Sequence, residues 1–388
     1  MCSSVPYQRV DGEQAGRAGH GELGWFRAGF YDCLSARADA LFELTEAVLC
    51  AEGPVSSLVG LSLVAEHRRG HGALYDAVAA GRVEVARLGR CVASLPVPRD
   101  RQGRIVLAVD VSAWLRPEAP CSADRLFCHV YGRGKGQAQM IPGWPYSFVA
   151  ALELGRSSWT ALLDAVRLGP HDEVTAVTAE QVREVVERLR EAGHWQPGDP
   201  DILIVFDAGY DVTRLAYLLA DLPVQVLGRL RSDRIFCFPP APPEPGRTGR
   251  PAKHGPQFAL SDPATHRPPD ARTTTATSRY GTARATAWNR LHPRLTHRAA
   301  WADHDGPLPV ITGSIIQLRV DRLPGDRHPK PLWLWCSTPE VAPDEADRLW
   351  QAFLRRFDLE HTFRFLSRPS AGPDRGSVLP PRPTGGPG

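Results

Sequence analysis

Apolar and polar positions change their period several times along the chain. From about Leu23 to Leu95 apolar residues return at three- and four-residue spacing, as in Ala38-Asp-Ala-Leu-Phe-Glu-Leu-Thr-Glu-Ala-Val-Leu, which predicts helices. Within this stretch Gly60–Val78 reads as two helices around a Gly-containing turn. That is a helix-turn-helix-like unit or an ordinary helical pair. Its His67-Arg-Arg-Gly-His71 is either a phosphate-contact cluster or a polar turn. Residues 1–20 are polar and Gly-rich and read as a loose arm.

After the Pro- and Arg-rich linker Pro96–Gly103 the runs become short and β-like: Ile105–Val111, Arg125–Tyr131 and Tyr146–Leu154. Helical patterns cover Ser158–Arg167 and Thr178–Gly193. Strand Ile202–Phe206, a helix from Val212 to Asp221 and strand Val224–Arg229 follow. Strands that precede and then alternate with helices predict a mixed sheet with helices on both faces. The proline-rich stretch from Pro239 then breaks the pattern, because proline removes backbone donors and fixes φ. From there to about Leu323 short β-type pieces alternate with loops. Ile311–Arg319 and Leu332–Ser337 read as strands.

A last amphipathic helix spans about Pro343 to Leu366, with Asp344 as N-cap and Asp347 adding early negative charge. Trp350, Phe353, Leu354, Phe357 and His361 share its apolar face. At about 100° per residue, Glu360 lies about 20° from Phe353 and about 60° from Phe357, so it faces inward at the edge of the stripe. Asp358 falls on the outer side. Ser367–Gly388 is Pro/Gly/Arg/Ser-rich, with too little apolar content for a packed element.

Composition narrows the class. The 388 residues are 43% hydrophobic and 23% charged, a soluble globular balance that suggests two or three domains. No apolar run reaches the ~20 residues of a membrane span. The N-terminus lacks a signal peptide's apolar core, so the expected location is cytoplasmic and nucleoid-associated. Eight cysteines, none in a CxxC pair, read as reduced thiols. Cys121, Cys128 and His129 are the one combination that resembles a ligand set. Net charge is +3, yet Leu227–Lys330 holds 17 Lys/Arg against 8 Asp/Glu. A basic segment on an otherwise acidic chain points to a polyanion.

Two aspartates end two of the apolar strands: Asp110 in Ile105-Val-Leu-Ala-Val-Asp and Asp207 in Ile202-Leu-Ile-Val-Phe-Asp. With Glu360 on the late helix they form a candidate hard-oxygen site for two Mg²⁺ or Mn²⁺ ions, the apparatus for phosphodiester cleavage and transfer. Taken alone, Asp207-Ala-Gly is equally a turn, and Asp211 is an alternative to Asp207. Arg356, one turn before Glu360, can orient it or meet a phosphate. Candidate DNA contacts are Arg133 and Lys135 in a Gly-rich loop, Arg250 in Gly249-Arg-Pro, and Lys253 and Arg356. Trp288 and Trp301 are candidates for stacking on a base or, more simply, for the core.

Several stretches then resemble the DDE transposases of bacterial insertion sequences, in an actinobacterial-type branch. They are Leu61-Ser-Leu-Val-Ala-Glu-His-Arg-Arg-Gly-His-Gly-Ala-Leu-Tyr, Leu107-Ala-Val-Asp-Val-Ser-Ala-Trp-Leu-Arg-Pro, Ile141-Pro-Gly-Trp-Pro-Tyr-Ser, Asp207-Ala-Gly-Tyr-Asp and Phe353-Leu-Arg-Arg-Phe-Asp-Leu-Glu-His-Thr-Phe-Arg-Phe. The resemblance implies an α/β chain whose RNase-H-like mixed sheet carries flanking helices, a β-rich insertion before the Glu, and an N-terminal helical domain. It implies metal-dependent cleavage and transfer at terminal inverted repeats, with Asp110, Asp207 and Glu360 as the carboxylates. It also implies a homodimer on DNA, engaging element ends and target.

The expected boundaries are an arm 1–20, a helical and possibly DNA-binding domain 21–98, the core in two parts 99–231 and 331–366, the basic insertion 232–330, and a tail 367–388. Relatives continue past Leu366 with a Lys-Gln-Thr-Leu-Gly-Trp-Thr-like stretch, whose codons with one A lost read Ser-Arg-Pro-Ser-Ala-Gly-Pro, as here. The expectation is therefore a frameshifted tail and a copy whose activity is in question. The alternative reading is a non-catalytic DNA-binding remnant that represses transposition.

Overall fold

The computed structural model describes residues 12–52, 55, 57–130, 139–155, 157–242, 252–302, 304–323 and 329–367, without the side chains of 12–20, 130, 299 and 365–367. Arg133, Lys135, Arg250, Pro251 and the tail from Arg368 lie outside them. The chain divides into two compact units, Met1–Val92 with Arg364–Gly388, and Ala93–Phe363.

The first unit is helical: α1 (Gly12–Tyr31), α2 (Ala38–Cys50), α3 (Leu58–Leu61), α4 (Gly72–Ala80) and α5 (Val85–Ala93), with a small ladder of β1 (Leu34–Ala36) and β2 (Arg82–Val83). Helix α1 starts inside the stretch that composition reads as an arm. The first member of the supposed helix pair is one turn only, α3. Buried Ala47, Leu61 and Leu74 form its centre. The His67–His71 cluster lies between α3 and α4. His67 Nδ1 lies 3.5 Å from Glu43, and Arg69 pairs with Asp39 at 2.7 Å and Glu43 at 3.3 Å.

The second unit is built on a sheet of twelve strands among the described residues. In chain order its elements are β3 (Val106–Leu115), β4 (Leu126–Val130), β5 (Gln139–Leu152), β6 (Thr160–Arg167), α6 (Val174–Glu191), β7 (Ile202–Phe206), α7 (Val212–Leu218), β8 (Val224–Leu230), β9 (Ile235–Cys237), β10 (Gln257–Ala259), β11 (Ala271–Thr277), β12 (Gly281–Pro293), β13 (Gly313–Val320), β14 (Leu332–Cys336), α8 (Pro343–Arg355) and α9 (Phe357–Ser367). Strand β5 pairs antiparallel with both β3 and β6, whereas β3, β7 and β8 run parallel. The order β6-β5-β3-β7-β8 is the RNase-H-like arrangement. The β-rich segment extends it, because β14 pairs with β8, β13 with β14 and β12 with β13, all antiparallel.

Ser158–Arg167 is the clearest departure from the pattern reading, since Thr160–Arg167 is strand β6 and not a helix. Its Ala-Leu-Leu-Asp-Ala favours helix locally, but pairing along β5 from Tyr146 to Leu152 overrides that preference. The late helix is also two helices, with a break at Arg356. Its N-cap is Ala342 with Pro343 in the first turn, so Asp344 sits inside the helix and pairs with Arg348 at 2.6 Å.

Strand alternation assigns the faces. Val106, Ala108, Leu203, Val205 and Leu227 pack with Ala346, Leu349, Trp350 and Phe353 of α8 and Leu359 of α9. The alternate positions Leu107, Val109, Ile204 and Phe206 are buried on the other side, where α6 contacts β5 and β6 and α7 contacts β8. Gly228 permits the last of these: a Cβ there would lie 2.0 Å from Val212 Cγ1. Among the described residues no helix is long and apolar enough to cross a membrane.

Candidate functional site: three carboxylates around one arginine

The parallel register of β3 and β7 pairs Ala108 with Val205 and Val109 with Phe206. Continued one position, it sets Asp110 beside Asp207. Both have the parity of Val106 and Leu203, so both aspartates stand on the α8 face. Parallel neighbours lie about 4.8 Å apart, and this alone brings two carboxylates together at the ends of the central strands.

The helical stripe supplies the third. Ala346, Leu349, Trp350 and Phe353 bury against the sheet at helical spacing, and the stripe continues into Arg356, Leu359 and Glu360. It leaves the apolar sheet at the level where the aspartates begin. Phe357 and His361, expected on the stripe, are exposed. Asp358, expected in solvent, is buried and pairs with Arg355 at 2.7 Å. The break at Arg356 turns the helix surface enough to account for both. Two further contacts fix α9: Thr160 and Thr362 hydroxyls are 2.7 Å apart, and the Phe148 and Phe363 rings are 4.8 Å apart between centroids.

Arg356 occupies the centre. It is 1% exposed, and its guanidinium donates to Asp110 Oδ2 at 3.0 Å and Glu360 Oε1 at 3.1 Å and lies 3.7 Å from Asp207 Oδ1. Asp207 and Glu360 meet the same Nη2, so those two oxygens are within 6.8 Å of each other. As a DNA contact Arg356 is therefore misplaced in this structure: it faces carboxylates and has no surface for a phosphate. Burial raises the Asp110 pKa above the ordinary carboxylate range, with Arg356 opposing and the neighbouring acids adding to the rise. Three carboxylates against one guanidinium leave an excess of negative charge. Asp207 Oδ1 is buried without a hydrogen bond. A hard, all-oxygen donor set with unspent charge fits Mg²⁺ or Mn²⁺.

Tyr210 is a neighbour that pattern reading passed over. Its hydroxyl is buried without a partner at good geometry, and burial and then Asp110 push its pKa up. The Asp207-Ala-Gly-Tyr turn was the available signal. Asp211 is the N-cap of α7, accepting from Arg214 N at 3.1 Å and Thr213 Oγ1 at 2.7 Å. That use explains its position without any role in the cluster.

A groove of about 1090 Å³ opens beside Ala208 and is lined by Arg229, Arg231, Arg272, Arg284, Arg319 and Lys330. Three of these six cations, Arg272, Arg284 and Arg319, come from β11, β12 and β13, on the side opposite Ala283, Ala285 and Ala287, which pack toward α8. Period-two polarity over Arg284-Ala-Thr-Ala-Trp288 was the signal for them. Lys253 is exposed and donates to Leu308 O. Trp288 and Trp301 are both buried: Trp288 sits among Phe258, His266 and Trp333, and Trp301 lies under Arg214. Neither offers a face to a base. Cys121 is exposed, Cys128 is buried, and the two do not form a ligand cluster with His129.

The family model for DDE superfamily endonucleases matches residues 29–294, and the chain belongs to that family. No curated protein matches it.

Proposed function

We propose that the chain is a DNA transposase that cleaves and transfers strands at insertion-sequence ends, with Asp110, Asp207 and Glu360 holding a pair of Mg²⁺ or Mn²⁺ ions. The carrying observation is the convergence of these three carboxylates on one buried guanidinium. When bound, the ions would supply an activated nucleophile and stabilise the leaving oxygen. Asp110, on the central strand, Asp207 and Glu360 would be the residues that hold them. In the metal-free protein Arg356 balances the carboxylates and keeps them gathered. The groove starting at Ala208 would carry the DNA backbone toward Asp207, its arginines meeting phosphates. Two ends must be held together for transfer, so the working form on DNA would be a homodimer.

The test is incubation of the purified protein with linear DNA carrying the element's terminal repeats, with Mg²⁺ or Mn²⁺, beside Asp110→Asn and beside a version whose reading frame is restored after Leu366. Nicking at the repeat ends that Asp110→Asn lacks supports the reading, and joining of the 3′ ends to target DNA separates a transposase from a simple nuclease. Cleavage only after frame restoration assigns inactivity to the tail. Repeat binding with no cleavage by either version, at any metal concentration, makes the chain a DNA-binding remnant.

A further inference from the structure

A second cluster lies in the β-rich half of the sheet. Cys237 ends β9, and His292 stands directly across from it on β12. His254 arrives from the far side of the Pro-rich stretch, with its Nδ1 2.9 Å from His292 Nε2 and the two rings stacked at 5.1 Å. One ligand atom from each of the three residues lies within 4.8 Å of the other two, and this is the one such group among the described residues. Cys237 and His292 are buried and His254 is half-buried.

Backbone geometry builds the cluster, independently of contacts among its side chains. Strand β12 pairs with β11 up to Ala287, then passes through a bulge between Trp288 and Leu291 with Arg290 at φ 59°. Beyond the bulge the same edge pairs with β9, which aims His292 at Cys237. The His254 segment is held by Phe238 N to Pro256 O and Gly255 N to Phe238 O, both 2.9 Å. Gly255 allows this approach, because a Cβ would lie 2.2 Å from Pro239 O.

We propose that Cys237, His254 and His292 form a Zn²⁺ site that fastens the two ends of the Pro-rich stretch to β12. One thiolate and two imidazoles are borderline-soft donors, suited to zinc and unsuited to the hard ions of the carboxylate cluster. Zinc bonds of about 2.3 Å to sulfur and about 2.0 Å to nitrogen put tetrahedral ligands roughly 3.3–3.7 Å apart. Reaching that requires the His–His contact to open slightly and sets the spacing of Cys237 within the 4.8 Å that the three ligand atoms already span. Burial lowers the pKa of both histidines, with Lys253 and Arg294 adding to it at His254, and His254 and Lys253 at His292. Binding replaces the His–His hydrogen bond: the donor ring's proton moves to its other nitrogen, and Cys237 releases its thiol proton to solvent.

The experiment uses the full chain, stripped with EDTA and titrated with Co²⁺ and then Zn²⁺. One Co²⁺ per chain should give a thiolate charge-transfer band and the visible absorption of a tetrahedral ion. Zn²⁺ should bleach both, and millimolar Mg²⁺ should leave them. His254→Ala, whose loop is held by backbone bonds, should lose the spectrum and Asp110→Asn should keep it. Cys237→Ala should lose the charge-transfer band if it folds, and His254→Ala decides the matter if it does not. No charge-transfer band in the parent chain, or the same spectrum and stoichiometry in His254→Ala, overturns the site.

Discussion

The two clusters of the large unit are assembled in the same way and compensated in opposite ways. Each rests on adjacent strands: Asp110 and Asp207 on a parallel pair, Cys237 and His292 on an antiparallel one. The first takes Glu360 from a helix far along the chain, and the second takes His254 from the segment between its two strands. The carboxylate cluster carries formal charge and shelters a guanidinium to offset it. The Cys–His cluster is neutral and meets its own hydrogen-bonding needs through the two rings. Pairing thus places ligands, while donor type decides what must occupy the site. A charged oxygen cluster is held against its own repulsion and needs a cation at all times. A neutral nitrogen–sulfur cluster can stand without one.

The sharpest way to break this contrast is to neutralise one carboxylate. Asp110→Asn, Asp207→Asn or Glu360→Gln should lower cleavage at repeat ends at least about a thousandfold, since each would remove a ligand to the proposed ions. Thermal unfolding should be unchanged or slightly raised, because each substitution reduces the excess of carboxylates over Arg356. Cleavage that survives in Asp110→Asn removes this cluster from the chemistry.

Next in size is the guanidinium. Arg356→Met leaves three acids without a cation and should destabilise the chain by about 3 kcal/mol in EDTA, by urea unfolding. Mg²⁺ should recover more stability in that variant than in the parent, because it would take over the charge balance. Equal Mg²⁺ effects in the two proteins would mean that Arg356 and the ion do not share the site. The Cys–His cluster should show its own linkage. Zn²⁺ at a hundredfold over its dissociation constant should stabilise the parent chain by about 2.7 kcal/mol, and Cys237→Ala should show none of this.

The pH dependence sharpens the comparison further. Burial raises the folded-state pKa of Asp110 above its unfolded value, so the folded chain binds this proton more tightly. Metal-free stability from this group is therefore fullest below the ordinary carboxylate range, and it falls as pH rises through the raised folded value. Mg²⁺ favours the ionised form and should flatten or reverse that fall. Unfolding midpoints across the acid range, with EDTA and with Mg²⁺, measure both slopes.

The carboxylates were readable from sequence because strand-end aspartates and an inward glutamate follow from periodicity. The parallel core strands were readable because buried strands are continuously apolar. What stayed hidden has physical reasons. Thr160–Arg167 favours helix locally and becomes a strand through β5, whose length no local pattern states. Strand β12 alternates threonine and arginine with alanine and β11 is mostly threonine, too weakly apolar on one face to stand out from loop. The Cys–His cluster joins three positions through a bulge and a cross-strand register, neither of which leaves a spacing motif. Arg356 was legible as a partner for Glu360 one turn away, but its bonds to the two strand-end aspartates depend on tertiary packing that no local spacing states.

The smallest expected effect tests how the third carboxylate is anchored. Thr160 and Thr362 tie β6 to α9 by one hydroxyl contact of 2.7 Å, two residues from Glu360. Replacing Thr362 by valine strands the buried Thr160 hydroxyl and should lower stability by about 1 kcal/mol, whereas replacing Thr160 leaves Thr362 its bond to Asp358 O and should cost less. Replacing both puts two methyl groups in contact and should return most of that loss. If the contact also positions Glu360, the double variant will keep its recovered stability yet cleave more slowly than the parent. A double-mutant cycle read in urea midpoints and in cleavage rate separates the two roles. Recovery of both together would mean that α9 is held by Leu359 and Phe363 alone, and that the carboxylate cluster, like the Cys–His cluster, owes its geometry to packing and backbone pairing.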